Sequence, residues 1–286
     1  MKPPYITQEF LDQFITSALQ EDVGDGDHSS LASIPADQES SARLLIKQDG
    51  VLAGVELAAS IFSAIDKGLM VDYFKSDGDS VVSGEEGFVV TGNSQSILKA
   101  ERLVLNCMQR MSGIATKTHQ LNQLISHTSA KLLDTRKTTP NFRLLEKWAV
   151  AIGGGQNHRI GLYDLIMLKD NHIDFAGGIA QAIQATKTYL KSTERSLRIE
   201  VETRSVDEVQ QVMAEGGVDI IMLDNMSPRL MKKAVQIIDG KFKTEASGGI
   251  TGETIAEVAE SGVDYISVGA LTHSYKSIDL SLKALT

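Results

Sequence analysis

The chain has 286 residues, 42% of them hydrophobic, a formal net charge of −9 and one cysteine, Cys107. That length suits one barrel-sized domain or two smaller ones. The lone cysteine excludes an internal disulfide and a cysteine-based metal cluster, and it suits a reducing compartment, here expected to be the cytoplasm. No apolar run approaches the ~18 residues that cross a bilayer, and Met1 to Tyr5 lacks the apolar core of a signal peptide. The acidic balance argues against a broad nucleic-acid surface, so neither membrane nor nucleic acid is expected as a partner.

Residues 5–20 pattern as an amphipathic helix. Ile6, Phe10, Leu11, Phe14, Ile15 and Leu19 recur at three-to-four spacing, with Thr7 as the cap. Residues 21–30 are rich in acids and glycine, but the glutamate that closes a twelve-residue calcium loop is missing. A turn capping the next segment is expected instead. Between 41 and 91 the signals are short strands (42–46, 88–90), turns (77–79, 83–85) and a helix (56–65), which together make a small α+β unit. A lipoyl-type carrier is built from similar hairpins, but no lysine stands at a hairpin tip here. Residues 94–124 read as helical, with Ile97, Leu98, Leu103, Val104, Cys107, Met108 and Met111 on one apolar face. Cys107 is therefore a core residue, Arg102 and Arg110 flank the stripe, and Gly113 is read as a break leading into the next domain.

After Ala130 the pattern changes. Short apolar runs at 131–134, 165–169, 197–201, 220–223, 243–246 and 265–268 alternate with helical stretches at 142–151, 179–191, 206–215, 228–238 and 254–260. This is the spacing of βα units in a parallel sheet or barrel. The runs end on polar residues or glycine: Asp134 to Lys137, Lys169, Glu202, Asp224, Ser247-Gly248-Gly249 and Gly269. In parallel βα folds the loops after the strands converge on one face, where ligands bind, so these distant residues are expected to share a pocket.

The chemistry of that pocket follows from its residue types. Between Lys131 and His172 stand seven Lys/Arg against four acids, a local +3 that leaves −12 elsewhere. An acidic protein that gathers cations in one window is built for a multiply anionic ligand. Arg136 and Arg159, with Arg102, offer planar forks for carboxylates, whereas Lys137 and Lys169 suit phosphate. An isolated Lys or Arg is more often a surface ion pair, so the argument rests on their convergence. Glu202 and Asp224, at neighbouring strand ends, are hard oxygens of the kind that hold Mg²⁺ with water and phosphate. Glu200 alternates with Glu202 and lies one pair deeper. Residues 246–253 and 268–270 are glycine loops that admit a phosphate to backbone N–H groups. His158 is either a donor to an acid substrate or a satisfied structural histidine, and His172 stands beside the lysine at 169. The remaining histidines show no ligand spacing, and no serine or cysteine sits in a nucleophile elbow.

These motifs resemble the quinolinate phosphoribosyltransferase family. The matching residues are Glu101-Arg102, Asn106, Arg110 to Thr116, Thr135-Arg136-Lys137-Thr138-Thr139-Pro140, Gly154-Gly155 with Asn157-His158-Arg159, Lys169 to His172, Glu200-Val201-Glu202, Leu223-Asp224-Asn225 and Ser247 to Ile250. The likeness spans nearly the whole chain in order, and one departure is Asn141, where glycine is expected. The resemblance implies an α/β protein with an N-terminal α/β sandwich (1–113) and an incomplete parallel α/β barrel (114–271), the tail 272–286 packing back on the sandwich. It also implies a homodimer or larger homo-oligomer in which Arg102 reaches the neighbouring pocket.

The implied reaction joins quinolinate and 5-phosphoribosyl 1-diphosphate, with Mg²⁺, to give nicotinate mononucleotide, pyrophosphate and CO₂ for NAD biosynthesis. Arg102, Arg136, His158, Arg159 and Lys169 are expected to hold quinolinate. Lys137, Ser247, Gly248, Gly249 and Gly269 are expected to hold phosphate. Lys137, Lys169, Glu202 and Asp224 are the expected catalytic set, with Glu202 and Asp224 placing Mg²⁺. Three alternatives stand beside this reading: a related pyrophosphorylase-like barrel protein with another substrate, an aldolase using Lys169 as a Schiff base, and a non-catalytic nucleotide sensor. The diacid-matching Arg/His set argues against the first, and Glu202 with Asp224 against the last.

Overall fold

The structure is a computed structural model that describes residues 2–285. Met1 and Thr286, the outermost residues of the expected N-terminal domain and tail, lie outside it. The elements run α1 (Gln8–Val23), α2 (His28–Ser33), β1 (Glu39–Ile46), β2 (Gly50–Val51), α3 (Val55–Ile65), β3 (Met70–Tyr73), β4 (Ser80–Val81), β5 (Glu86–Asn93) and α4 (Ser94–Leu124). They continue β6 (Lys131–Leu133), α5 (Arg143–Ile152), β7 (Ile166–Leu168), α6 (Asp170–Ala176), α7 (Ile179–Ser192), β8 (Ile199–Thr203), α8 (Val206–Glu215), β9 (Ile220–Asp224), α9 (Pro228–Ile238), β10 (Lys243–Ser247), α10 (Ile255–Glu260), β11 (Tyr265–Ser267), α11 (Ala270–His273) and β12 (Leu280–Leu285).

Two compact units result. The first comprises residues 2–119, 144–154 and 275–285, and the second Gln120–Arg143 and Gly155–Ser274. In the first, Thr7 caps α1 by accepting from the Phe10 N–H at 3.1 Å, which lets Leu11 and Ile15 turn inward. The Asp-Gly segment is a turn, and Asp27 caps α2 through the Ser30 N–H at 3.2 Å. Four strands form an antiparallel sheet in the order β12-β1-β5-β3, with Ile46 opposite Leu280. The C-terminal tail thus completes the N-terminal sheet. Arg110 is an internal tie: its Nε donates to the fully buried Glu146 at 3.0 Å.

The expected break at Gly113 is not there, for α4 runs unbroken from Ser94 to Leu124. Gly113 serves close approach instead. A Cβ at this position would collide with the backbone of Lys276, which passes against the helix. The expected boundary at 113 therefore falls inside one continuous helix.

In the second unit six strands form one parallel sheet in the order β6-β11-β10-β9-β8-β7. Successive strands lie side by side, but β6 pairs with β11 rather than β7. The sheet thus curls round as a barrel left open between its first two strands, and one isolated bridge, Leu133 to Gln156, lies near that gap. Each expected strand is present within two residues. The connecting helices bury one stripe each, such as Met231, Ala234 and Ile238 on α9. Inside, Leu165, Met167, Ile220 and Met222 pack into an apolar cluster. No helix among the described residues is long and apolar enough to cross a membrane.

Candidate active site

A pocket of about 860 Å³ opens where the strands of the second unit end. Thr135, Arg136 and Lys137 after β6, Lys169 after β7, Glu202 in β8, Asp224 ending β9, Ser247 to Gly249 after β10 and Gly269 after β11 all line it, with His158 and Arg159 from the loop before β7. Every expected second-unit site residue is therefore at one mouth, as parallel topology requires. Arg102 is not among the lining residues; it is exposed on α4. His172 does not line the pocket either. Its Nδ1 accepts from the Lys169 N–H at 3.0 Å, which ties down the start of α6.

Buried Asp134 shapes the base of the site. One of its oxygens accepts from the His158 N–H at 2.8 Å and the other from Asn157 Nδ2 at 2.7 Å, pinning the 155–159 loop to the end of β6. Arg136 is half-buried, and its Nε is sealed from solvent without a hydrogen-bond partner among the described residues. Arg159 donates through Nη1 to the Leu165 carbonyl at 3.3 Å. Burial lowers its pKa, and the nearby Arg136 charge lowers it further, against the pull of Glu200 and Asp164. The two arginines are thus like charges held close together, as a carboxylate clamp requires.

Lys169 forms an ion pair with Glu202 at 3.0 Å. Asp224 accepts from Asn225 Nδ2 at 2.6 Å. At the opposite wall the backbone does the work. Gly248 has φ +96°, and a Cβ there would strike Asn225. At Gly269 a Cβ would come within 2.9 Å of Lys137 Cδ and 3.1 Å of His273 Nε2, and the Thr272 hydroxyl donates to the Lys137 carbonyl at 2.8 Å. Asn141, the odd residue in the Thr-Arg-Lys-Thr-Thr-Pro loop, has φ +63°. Asparagine is among the few side chains tolerated there, which accords with a position where glycine was expected.

Reading from the sequence missed Glu245, Asp170 and His273 as lining residues. Glu245 was within reach, because period-two alternation along β10 puts it on the same face as Ser247. With Glu200 it faces His158: Nε2 lies 3.0 Å from Glu200 and 3.3 Å from Glu245, both fully buried. Burial alone would lower the His158 pKa, but the two carboxylates outweigh it and push it up to about 9. The Arg159 N–H, 2.6 Å from Nδ1, favours a neutral ring. Two buried carboxylates outweigh that single dipole, so the charged ring is favoured. Glu200 itself is pushed up to about 7, by burial first and by the Glu245 charge next.

Fold and site together define an α/β-barrel protein whose strand-end pocket is lined by arginines and lysines, two strand-end acids and glycine loops. Residues 114–283 match the C-terminal domain of quinolinate phosphoribosyl transferase, and residues 27–112 match its N-terminal domain. The chain is 46% identical to quinolinate phosphoribosyltransferase [decarboxylating] 2b, mitochondrial, of Nicotiana tabacum, covering 99% of this chain and 84% of that one. It is 40% identical to a probable nicotinate-nucleotide pyrophosphorylase [carboxylating] of Bacillus subtilis, covering 95% and 92%. A solved nicotinate-nucleotide pyrophosphorylase from Francisella tularensis superposes with a TM-score of 0.91 at 40% identity, covering 98% of each chain. The chain belongs to the quinolinate phosphoribosyltransferase family.

Proposed function

We propose that this protein transfers the phosphoribosyl group of 5-phosphoribosyl 1-diphosphate to quinolinate with decarboxylation, forming nicotinate mononucleotide, pyrophosphate and CO₂ in NAD biosynthesis. The observation that carries this reading is the convergence of Arg136, Arg159 and Lys169 with Glu202 and Asp224 on one pocket. Arg136, Arg159 and Lys169 hold the two carboxylates, and Met167 and Met222 give the pyridine ring an apolar surface. Lys137 and the Ser247–Gly249 and Gly269 loops take the phosphates.

The pyridine nitrogen attacks the anomeric carbon, and the bond to pyrophosphate breaks with its electron pair. Glu202 and Asp224 face the positive charge that develops on the ribose, a favourable use of fixed charge. The new pyridinium charge stabilises the carbanion left when the adjacent carboxylate departs as CO₂, and that carbon then takes up one proton. No protein nucleophile is required; placement and electrostatics suffice.

Glu202 and Asp224 also fit Mg²⁺. They offer two hard oxygens at adjacent strand ends, too few for a full shell, and Glu202 is already paired with Lys169, so phosphate oxygens and water would complete the coordination. When bound, Mg²⁺ neutralises charge on the departing pyrophosphate. The engagement of Lys169 with Glu202 is also at odds with a free amine ready for Schiff-base chemistry.

The assembly belongs to the same reading: a homodimer or larger homo-oligomer in which Arg102 of one copy enters the pocket of the next. Its support is that Arg102 is exposed and absent from the pocket of its own chain, while Leu162, Tyr163 and Phe175, beside the site loops, are exposed apolar side chains. A cytoplasmic setting accords with the single, buried cysteine.

The test is direct. Purified protein given quinolinate, phosphoribosyl diphosphate and Mg²⁺ should release CO₂ and pyrophosphate in equal amounts, and a chelator should stop the reaction until Mg²⁺ is restored. Mixing inactive Arg102→Ala and Lys169→Ala chains should restore activity if Arg102 is shared between copies. No CO₂ from quinolinate would overturn the assignment.

A further inference from the structure

The carboxylate end of the pocket rests on a cluster that substrate chemistry alone does not call for. Glu200 on β8 and Glu245 on β10 are fully buried, two strands apart in the sheet, and both reach His158 Nε2 within 3.3 Å. Both distances are those of ion pairs. Charge therefore holds the ring. A second cavity of about 150 Å³ is also lined by His158, Arg159 and Glu245. The next residue is Arg159, whose backbone nitrogen sits 2.6 Å from His158 Nδ1. The orientation of the ring thus sets where the Arg159 side chain begins. Glu200 also supplies negative charge beside Arg159, which otherwise faces the repulsion of Arg136.

We propose that Glu200 and Glu245 are positioning residues for the acid-substrate half of the pocket, tethering the His158 ring so that Arg159 is presented to a carboxylate of the bound diacid. Glu200 does not line the pocket, and Glu245 reaches its wall only as a fully buried side chain. The inference rests on quinolinate being the acid substrate.

The experiment compares wild type with Glu200→Gln and Glu245→Gln, which keep the shape and remove the charge. Wild-type turnover of quinolinate is the control, and its failure would remove the functional assignment rather than this inference. Each variant should raise KM for quinolinate at least ~10-fold while KM for phosphoribosyl diphosphate changes less than about twofold. Loss of structure alone would not single out one substrate. In a His158→Asn background, Glu245→Gln should add no further increase, because the carboxylate acts through the ring. Equal effects on both KM values, or additive effects in the double variant, would overturn the inference. Should the variants fail to fold, a quinolinate-bound structure of the wild-type protein decides. His158 Nε2 still facing the two glutamates supports the tether, and Nε2 turned to the substrate refutes it.

Discussion

The two ends of the pocket are built from different materials. The end proposed for the carboxylates consists of long side chains, Arg136, Arg159 and Lys169, with buried acids close to Lys169 and to the His158 next to Arg159. The end proposed for the phosphates consists of backbone at Ser247 to Gly249 and Gly269, where Gly248 and Gly269 leave no room for a side chain. The first end is vulnerable to loss of a charge, the second to gain of a methyl group. A rigid diacid needs oriented forks, whereas a phosphate accepts donors from many directions, and backbone N–H groups supply these without side-chain entropy.

The sharpest way to break this contrast is Arg136→Ala. Deleting one fork of a half-buried clamp should cost about 2–4 kcal/mol of quinolinate binding, enough to abolish turnover at ordinary concentrations, with little change in melting temperature. Normal turnover would mean that the clamp is assigned to the wrong residues. At the other end, Gly248→Ala places a Cβ against Asn225 at φ +96°. It should raise KM for phosphoribosyl diphosphate roughly tenfold through a strain of about 1–2 kcal/mol and spare quinolinate binding, as isothermal calorimetry with each ligand can show.

The carboxylate end should also carry a pH signature that the glycine end lacks. His158 binds its proton more tightly in the folded protein, so the stability it contributes is fully present below about pH 6.5 and is lost as pH rises through about 9. Glu200, raised to about 7 by burial and by Glu245, works in the same direction at lower pH. Thermal denaturation should show wild-type stability declining between pH 6.5 and 9.5, and Glu245→Gln, which removes a charge that raises both groups, should flatten that decline. The smallest effect belongs to Asn141. Asn141→Gly should change stability by less than about 0.5 kcal/mol, and Asn141→Ala should lower it by about 1 kcal/mol, both read from chemical denaturation.

Much of this molecule was legible before folding. The six barrel strands and the polar residues at their ends follow from alternating apolar and helical periods, because backbone geometry ties those periods to secondary structure and parallel βα units put strand ends on one face. The convergence of Arg136, Lys169, Glu202 and Asp224 was therefore implied by local pattern. Only the tertiary structure decided whether Gly113 breaks a helix or admits a passing chain, since that depends on Lys276, far off in sequence. It alone turned His158 toward Glu200 and Glu245. Contact between residues 42 and 87 positions away is set by strand order and sheet curvature, and local propensity carries no record of either.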